Sequence, residues 1–316
     1  MKFKHLLLIL ILLLVIGLIL VDFKKSENPK IYENGTIAIY FCPQDNCDEK
    51  IINEIDSSQL VKCAFFELTK KEVIYALKEK NASIIIHDEN FKDLGISRET
   101  DGLMHSKFCV LDNKKIITGS HNPTMNENKD NLLIIESKYL ATNYNNEFKN
   151  LETGLLGLEK KKTKYTHIIF NNYELENYFC PQDSCQKEIL EELDKANSSI
   201  YFLTFTFTDK EIASVLANKK TRGLDVKGVI ESYQGKTYWV YPQLIEADIS
   251  VVLDEEQSLQ HNKIFIIDNT TVITGSFNPT KAANTKNDEN IIIIRQPDVV
   301  KKYVDEFERL YVELQE

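Results

Sequence analysis

The residues best suited to chemistry in this 316-residue chain are histidines, lysines and asparagines that occur twice at one spacing. In each half a His-x-Lys pair is followed by Asp and then by Gly-Ser-x-Asn. These residues are His105, Lys107, Asp112, Ser120 and Asn122 in the first half, and His261, Lys263, Asp268, Ser276 and Asn278 in the second. The polar positions agree between the halves while the residues between them differ. This pattern favours a functional site over a purely structural repeat.

Two copies of this set suit an anionic phosphodiester. Lys107 and Lys263, together with Asn122 and Asn278, can hold the non-bridging oxygens as charge builds up on them. One neutral histidine can attack phosphorus and form a phosphohistidine, while the other, protonated, donates its proton to the leaving oxygen. Because the lysines supply the positive charge, we expect the reaction to need neither a metal ion nor another cofactor.

The spacing also predicts how these side chains are positioned. Residues two apart on a strand point to the same face, so each His-Lys pair is expected to project into one cavity. The Gly-Ser-x-Asn turn follows a hairpin return strand, which brings Ser120 and Ser276 beside these pairs as supporting hydrogen-bond donors. Asp112 and Asp268 come at the strand end before the hairpin turn, so we predict a structural role for them as turn formers.

The repeat extends beyond the candidate site. Tyr40–Cys47 recurs as Tyr178–Cys185 with seven of eight residues identical, and His105–Thr124 recurs as His261–Thr280 with eleven of twenty identical. The second half is longer, and we place its extra residues within Lys227–Gln260. A period this long predicts two similar domains packed together rather than a solenoid.

Strand and helix patterns alternate along both halves, which predicts an α/β fold with mixed sheets flanked by helices. Strands are expected at Ile37–Phe41, Leu60–Leu68, Ser83–His87, Phe108–Leu111, Ile116–Thr118, Asn131–Glu136, Ile168–Phe170, Ser199–Thr208, Asp225–Glu231, Ile264–Ile267, Val272–Thr274 and Asn290–Arg295. Helices are expected at Asp48–Ile55, Lys70–Lys80, Gln186–Ala196 and Asp209–Lys219. The sequence therefore predicts tandem α/β domains at 37–150 and 167–316, related by a pseudo-twofold and joined by a linker at 151–166.

The N-terminus predicts a membrane anchor. Leu6 to Val21 are sixteen consecutive apolar residues flanked by lysines, close to the length that crosses the hydrocarbon of a bilayer. A cleaved signal peptide is the alternative, but the following residues offer no small-x-small cleavage site. We therefore expect an uncleaved single-pass transmembrane helix within residues 1–23, a stalk at 24–36, and a catalytic part on the extracytoplasmic side.

Six cysteines are too few for a disulfide scaffold, so their positions matter more than their number. The two C-x4-C pairs are Cys42 with Cys47 and Cys180 with Cys185. A local disulfide in each half is our first interpretation, because an anchor would export the domain to an oxidising compartment. A four-thiolate zinc site and reduced thiols at a turn are the alternatives. Cys63 and Cys109 lie in apolar strands and are expected to be core residues.

Composition bounds the function. The chain is 43% hydrophobic, which excludes collagen-like and globally disordered proteins. Its net charge of −10, from 38 basic and 48 acidic residues, argues against a chain-wide electrostatic attraction to nucleic acid. A local basic cleft remains compatible with that charge.

The two motifs resemble the HKD signatures of the phospholipase D superfamily, and Gly-Ser-x-Asn-Pro-Thr resembles its compact nuclease branch. The resemblance covers about residues 37–316, and it implies two α/β domains with the active site at their interface, a phosphohistidine intermediate and no metal requirement. It further implies that the first motif histidine, His105, is the nucleophile and that His261 is the acid. In related enzymes a downstream carboxylate orients each histidine, and Asp130 and Glu289 are the matching residues.

Three functions are compatible with this pattern. The first is a membrane-anchored, metal-independent nuclease acting on DNA or RNA, favoured by the compact repeat and the motif subtype. The second is a phospholipid phosphodiesterase or transphosphatidylase, with phospholipase D or cardiolipin-type chemistry, favoured by the anchor. The third is a non-catalytic binding module, against which the two intact His, Lys and Asn sets argue. Because both half-sites lie in one chain, we expect a monomer.

Overall fold

The computed structural model describes residues 30–99, 101–235 and 240–315. Among these residues, no helix is both long and apolar enough to cross a membrane. The predicted anchor at Leu6 to Val21 lies outside the described residues. The predicted stalk at 24–36 lies partly outside them, and its described part includes a short strand, β1, at Ile31–Glu33.

We refer to residues 37–152 as the first half and to residues 167–315 as the second half. The first half contains β2 Ile37–Cys42, α1 Cys47–Asp56, β3 Val61–Phe65, α2 Lys71–Glu79, β4 Ser83–His87, β5 Ile96–Arg98, β6 Phe108–Leu111, β7 Lys115–Gly119, β8 Asp130–Glu136 and α3 Lys138–Glu152. Short 3₁₀ turns lie at Asp88–Asn90 and, after this half, at Gly157–Glu159.

The second half repeats this order with additions. It contains β9 His167–Phe170, β10 Tyr173–Cys180, α4 Cys185–Lys195, β11 Ser199–Thr204, α5 Lys210–Thr221, β12 Asp225–Glu231, α6 Ser232–Gly235, α7 Tyr241–Glu246, β13 Ser250–Asp254, β14 Lys263–Ile267, β15 Thr271–Gly275, α8 Lys281–Thr285, β16 Glu289–Ile294 and α9 Pro297–Glu313. Helices α6 and α7 fall within the predicted insertion at Lys227–Gln260.

The two sheets have the same strand order over seven strands. The first sheet runs β2-β8-β7-β6-β3-β4-β5, and the second runs β1-β9-β10-β16-β15-β14-β11-β12-β13. In both sheets the last three strands of this order are parallel, while their other neighbours are antiparallel. The expected mixed α/β fold and its internal repeat are therefore confirmed.

One strand of the second half is not among those predicted. The predicted strand Ile168–Phe170 is confirmed as β9, but the structural counterpart of β2 is the neighbouring β10 at Tyr173–Cys180. β9 instead forms a hairpin with β10 through the turn at Asn171 and Asn172, which both have positive φ. The Glu176 side chain of β10 is buried and forms an ion pair with Arg295.

Each sheet has a hydrophobic core on the face covered by its own short helices. In the first half, α1 and α2 contribute Ile51, Ile55 and Leu77, which have at most 1% of their surface exposed. The long helices α3 and α9 join the halves instead. Tyr144 of α3 meets Phe179 of β10 edge-on, and the matching Tyr303 of α9 meets Phe41 of β2. Each long helix therefore contacts the first repeated strand of the other half.

The repeated aspartates of the motif lie in the hairpin turns. Asp112 between β6 and β7, and Asp268 between β14 and β15, both have positive φ, as does the next residue in each turn. This conformation is the one that tight hairpins require. The Asp112 carboxylate accepts hydrogen bonds from the backbone N–H groups of Gln59 and Leu60, and Asp268 accepts those of residues 197–199. Both side chains therefore fasten a hairpin to the loop before the neighbouring strand.

All six cysteines are paired. Cys42 is bonded to Cys47 and Cys180 to Cys185, which is the first of the three interpretations of the C-x4-C pairs. The zinc alternative at these four residues is wrong, because each thiol is bonded within its own half. The expectation that Cys63 and Cys109 are core residues is confirmed, because both are fully buried. They are also bonded to each other, which was not predicted, since they lie directly opposite on β3 and β6.

Candidate active site

The two His-Lys pairs are buried at the start of matching strands. His105 and Lys107 lead into β6, and His261 and Lys263 lead into β14. At most 8% of the surface of each of these four residues is exposed. The Lys107 ammonium donates to the backbone carbonyl of His105, and Lys263 donates to that of His261. Each lysine is therefore held against its own histidine, as the spacing of two residues predicted.

The carboxylates bind the histidines across the halves. Nδ1 of His105 lies 2.8 Å from Oε2 of Glu289, and Nδ1 of His261 lies 2.7 Å from Oδ1 of Asp130. Glu289 belongs to the second half and Asp130 to the first. This reciprocal exchange fixes both rings with Nδ1 toward a carboxylate, which leaves Nε2 of each ring for chemistry.

Backbone hydrogen bonds secure the same exchange. The N–H of His105 donates to the carbonyl of Asp288 at 3.0 Å, and the N–H of His261 donates to the carbonyl of Lys129 at 2.9 Å. Asp288 and Lys129 directly precede the two carboxylates. The backbone and the side chain of each histidine thus both bind residues at the start of the last strand of the other half.

The motif serines orient the carboxylates. Ser120 donates to Asp130 at 2.7 Å, and Ser276 donates to Glu289 at 2.6 Å. Their hydroxyls also accept the backbone N–H groups of Asn131 and Asn290, both at 3.0 Å. The serines predicted as supporting donors therefore act on the carboxylates that bind the histidines.

Glycine is required before each serine. Gly119 has φ of +140° and Gly275 has φ of +146°, in a region that residues with a Cβ rarely adopt. A Cβ at Gly119 would lie 2.3 Å from the carbonyl oxygen of Asn131, and one at Gly275 would lie 2.2 Å from that of Asn290. The close approach lets each serine reach the carboxylate on the adjacent strand.

The motif asparagines retain unused hydrogen-bonding capacity. Asn122 and Asn278 are partly exposed, and the Oδ1 atom of each amide is buried without a protein partner. Buried amide oxygens normally have a partner. The unpaired oxygens are open to a donor, and the carboxamide nitrogens, which donate to none of the described residues, are available to phosphate oxygens.

Two phenylalanines complete the site, and the motif alone did not identify them. Phe66 meets the His105 ring edge-on with centroids 4.9 Å apart, and the Lys107 ammonium lies 5.0 Å from the same ring. Phe205 has the same relation to His261 at 5.0 Å and to Lys263 at 5.2 Å. Both rings follow matching strands, β3 and β11, so alignment of the repeats could have found them. They hold each pair by cation–π and ring contacts.

Burial keeps the imidazoles neutral. It lowers the pKa of His105 from 6.5 to about 4, against the raising effect of Glu289, and Lys107 and Lys263 lower it further. Burial and then Lys263 lower the pKa of His261 to about 4, against Asp130. Both lysines therefore act on the histidine of the other half as well as on their own, so all four residues share one site.

Burial also weakens the charge of the lysines in the unliganded site. It lowers the pKa of the Lys263 ammonium from 10.5 to about 7, and it lowers the pKa of Lys107 as well. A bound phosphate anion would raise the pKa of lysines and histidines alike. The site is therefore arranged to take up protons together with an anionic substrate.

His121 is a further residue of the site. Its Nε2 lies 3.0 Å from Oδ1 of Asp48, and its Nδ1 lies 3.6 Å from Oδ2 of Asp130. The repeat gave His121 no role, because its counterpart in the second half is Phe277. Among the described residues, no group of three or more His, Cys, Asp or Glu side chains is arranged to hold a metal ion.

Comparison with known proteins agrees with this architecture. A family model described as "Cardiolipin synthase, PLD-like domain" matches residues 47–152 and 189–311, one segment in each half. The crystal structure of phosphatidylserine synthase from Haemophilus influenzae superposes with a TM-score of 0.67, covering 88% of this chain and 86% of that chain at 11% identity. At that identity the likeness concerns the fold alone.

Sequence relatives match shorter stretches. A protein named phospholipase D from Rickettsia conorii is 37% identical over 127 residues, which are 40% of this chain and 64% of that protein. A mitochondrial cardiolipin hydrolase from Xenopus tropicalis is 32% identical over 145 residues, which are 45% of this chain and 69% of that protein. The chain thus spans slightly less than two thirds of the length of the phospholipase D relative. With both halves matched by one family model, the chain belongs to the PLD-like domain family within the phospholipase D superfamily.

Proposed function

We propose that this chain hydrolyses phosphodiester bonds through a phosphohistidine intermediate. The observation that carries the proposal is the exchange of carboxylates, in which Glu289 binds His105 and Asp130 binds His261. It orients two imidazoles alike within one lysine-containing site, and each presents Nε2. A nucleophile and a general acid are the two groups that such a displacement at phosphorus needs.

The remaining residues have supporting roles in this reaction. Lys107 and Lys263 hold the non-bridging oxygens and become fully charged once the anion binds. The amides of Asn122 and Asn278 donate to the same oxygens. Asp130 and Glu289 stabilise whichever imidazole is protonated, and Ser120 and Ser276 fix the carboxylates. Lysines provide the positive charge in this scheme, so the reaction proceeds without a metal ion or cofactor.

Nucleic acid is the substrate class that we propose first. A cavity of about 440 Å³ lies between α3, the segment 161–164 and the β10–α4 turn, and it is lined by Lys149, Lys161, Lys162 and Lys164. In the register of β10 and β16, Cys180 lies opposite Glu289. Gln182, two residues after Cys180, lines the cavity. The cavity therefore adjoins the strand end that carries an active-site carboxylate. Four lysines there form the local basic surface that a polyanionic backbone requires.

Phospholipid is the second substrate class. The names of two relatives, phospholipase D and mitochondrial cardiolipin hydrolase, favour it. The apolar run at residues 6–21 favours it too, since a single-pass anchor would hold the site near lipid headgroups on the extracytoplasmic side. We propose that this anchor is retained and that the chain acts as a monomer with both half-sites.

One experiment separates these classes. The full-length chain in detergent is offered single-stranded DNA, duplex DNA, RNA, and vesicles that contain cardiolipin and phosphatidylglycerol, each with and without EDTA. We expect cleavage of nucleic acid that EDTA does not abolish. Cleavage of the vesicle lipids alone would instead assign phospholipid, and inactivity on every phosphodiester would overturn the proposed function.

Charge reversal in the cavity provides the matched control. Substituting Lys161→Glu and Lys162→Glu should lower nucleic acid cleavage by about tenfold or more at low salt, because both lysines line the cavity and neither forms an ion pair with a described carboxylate. Hydrolysis of bis(4-nitrophenyl) phosphate, which has no extended polyanionic backbone to bind in the cavity, should be unchanged. An equal loss on both substrates would contradict a role of the cavity in binding nucleic acid.

A further inference from the structure

His121 lies in a line of charged groups that leads to the active site. Lys70 is 3.5 Å from Asp48, and Asp48 is 3.0 Å from Nε2 of His121. On its other side, Nδ1 of His121 is 3.6 Å from Oδ2 of Asp130, whose Oδ1 binds His261. A buried imidazole between two carboxylates favours its protonated form. Burial alone would lower the pKa of His121, but Asp130 and Asp48 together raise it to about 9.

The second half lacks this line of charges at the matching positions. The counterpart of His121 is Phe277, that of Asp48 is Gln186, and that of Lys70 is Asp209. The match of the last pair is visible in the backbone, because residues 70 and 209 both donate to the proline carbonyl of their own motif turn. Gln186 donates to Asp209 at 2.6 Å. Three matched positions therefore differ together, and the position that carries the His121 imidazole in the first half carries the uncharged, buried ring of Phe277 in the second.

The two carboxylates consequently differ in their surroundings. Oδ1 of Asp130 binds His261 and Ser120, while its Oδ2 faces the His121 imidazolium. Glu289 has the equivalent pair of partners, but Asn287 is the neutral donor that approaches its other oxygen, at 3.3 Å. A cation beside Asp130 offsets part of the negative charge that would stabilise a protonated His261.

From this asymmetry we infer that His121 is a positioning residue that gives the two histidines different roles. Its charge keeps His261 neutral, so that His261 is the nucleophile and His105 is the general acid. The inference rests on the proposed function and reverses the order that family resemblance implies. Lys107 and Lys263 each lower the pKa of both imidazoles, so the lysines do not by themselves distinguish the two.

With these roles the reaction has two displacements at phosphorus. The lone pair on Nε2 of His261 forms the bond to phosphorus while the bond from phosphorus to the leaving oxygen breaks. That oxygen takes the proton from Nε2 of His105. Water then attacks phosphorus and gives a proton to the now neutral His105, and the phosphorus–nitrogen bond breaks, returning the pair to His261. His105 ends protonated, as it began.

The phosphoryl group is located with bis(4-nitrophenyl) phosphate, whose leaving group needs no proton. After an alkaline quench of the full-length chain, mass spectrometry should find the adduct on His261. In His105→Ala the adduct should accumulate, because the second step lacks its base, and in His261→Ala it should be absent. An adduct on His105 that accumulates in His261→Ala would overturn the inference while leaving the proposed function standing.

The part played by His121 is tested by its charge. His121→Phe copies the residue of the second half, and His121→Gln is a smaller neutral replacement in case the first does not fold. Either change should shift the apparent pKa of the acidic limb in the pH profile of kcat/KM upward by about one pH unit, because His261 becomes easier to protonate. The exposed His167→Phe is the matched control and should leave the limb in place. An unmoved limb in both His121 variants would refute the role, since lost packing alone lowers rates without shifting it.

A measurement that needs no turnover tests the roles of the two histidines separately from the proposed hydrolysis. With ¹⁵N-histidine in the full-length chain and inorganic sulfate as the bound tetrahedral anion, His105 should take up its proton at higher pH than His261. The difference between the pH values at which His105 and His261 take up a proton should become smaller in His121→Phe. The reverse order, or an unchanged difference, would overturn the inference whether or not the chain turns over a phosphodiester. Inactivity of the unmodified chain would refute the proposed function alone.

Discussion

Replacing Glu289 by glutamine should slow the reaction through a histidine that lies 184 residues away in the chain. The Glu289 side chain is 0% exposed and accepts hydrogen bonds from His105 at 2.8 Å and from Ser276 at 2.6 Å. Glutamine preserves the shape and can still accept one hydrogen bond, but it lacks the negative charge. The change therefore removes the electrostatic stabilisation of a protonated His105 and little else.

The size of the effect follows from the lost interaction. A hydrogen bond to a charged group contributes about 1.5–3 kcal/mol net. Because the carboxylate is fully buried, solvent does not screen this contribution. Each 1.36 kcal/mol in the activation free energy changes a rate tenfold. Glu289→Gln should therefore lower kcat for a phosphodiester with a poor leaving group by about 10- to 150-fold.

The assay compares initial rates of the full-length chain and its variants on one such diester, with circular dichroism to verify folding. Glu306→Gln is the matched control, since it removes a buried carboxylate on α9 that binds Arg309 rather than a histidine. It should change kcat by less than about twofold. A loss below about threefold in Glu289→Gln, or an equal loss in the control, would refute the assigned role of the carboxylate.

Three further outcomes are expected. Calorimetry with inorganic sulfate in buffers of different ionisation enthalpy should show net proton uptake near pH 7, because the anion raises pKa values that burial holds at about 4 for His105 and about 7 for Lys263; no uptake would contradict this. Cys63→Ala together with Cys109→Ala should lower the free energy of unfolding in urea by about 2–4 kcal/mol, since the bond closes a long loop; an unchanged midpoint would argue against the bond. Gly119→Ala should destabilise the fold by about 1–3 kcal/mol at its positive φ, and equal stability would show that the turn can relax.

Features that depend on local sequence were predictable. Strands Ser83–His87 and Asp225–Glu231 have the predicted bounds, because their apolar runs end at clear turn signals. The hairpin turns at Asp112 and Asp268 follow from Asp-Asn pairs that tolerate positive φ. The grouping of each histidine with its lysine follows from a spacing of two residues. In all these cases, neighbours in sequence are also the neighbours that decide the structure.

Features that depend on the other half were not predictable in the same way. The resemblance to the phospholipase D superfamily pointed to Asp130 and Glu289 as the carboxylates, but which histidine each one binds depends on how the halves meet. The bond between Cys63 and Cys109 depends on the register of β3 against β6, which apolar strands of this kind leave open. His121 was not predicted as a site residue, because site roles were given only to residues of the same type at matching positions in both halves. Its unmatched counterpart, Phe277, is the feature that distinguishes the two half-sites.

The most direct measurement is the steady-state hydrolysis of one phosphodiester by full-length chains that carry His105→Ala or His261→Ala. A single composite site predicts that each substitution alone lowers kcat by about 10³-fold or more while folding is preserved, in line with the loss of a positioned acid–base or nucleophilic group. Half of the original rate remaining in either variant would show that the halves act as separate sites and would contradict the shared one.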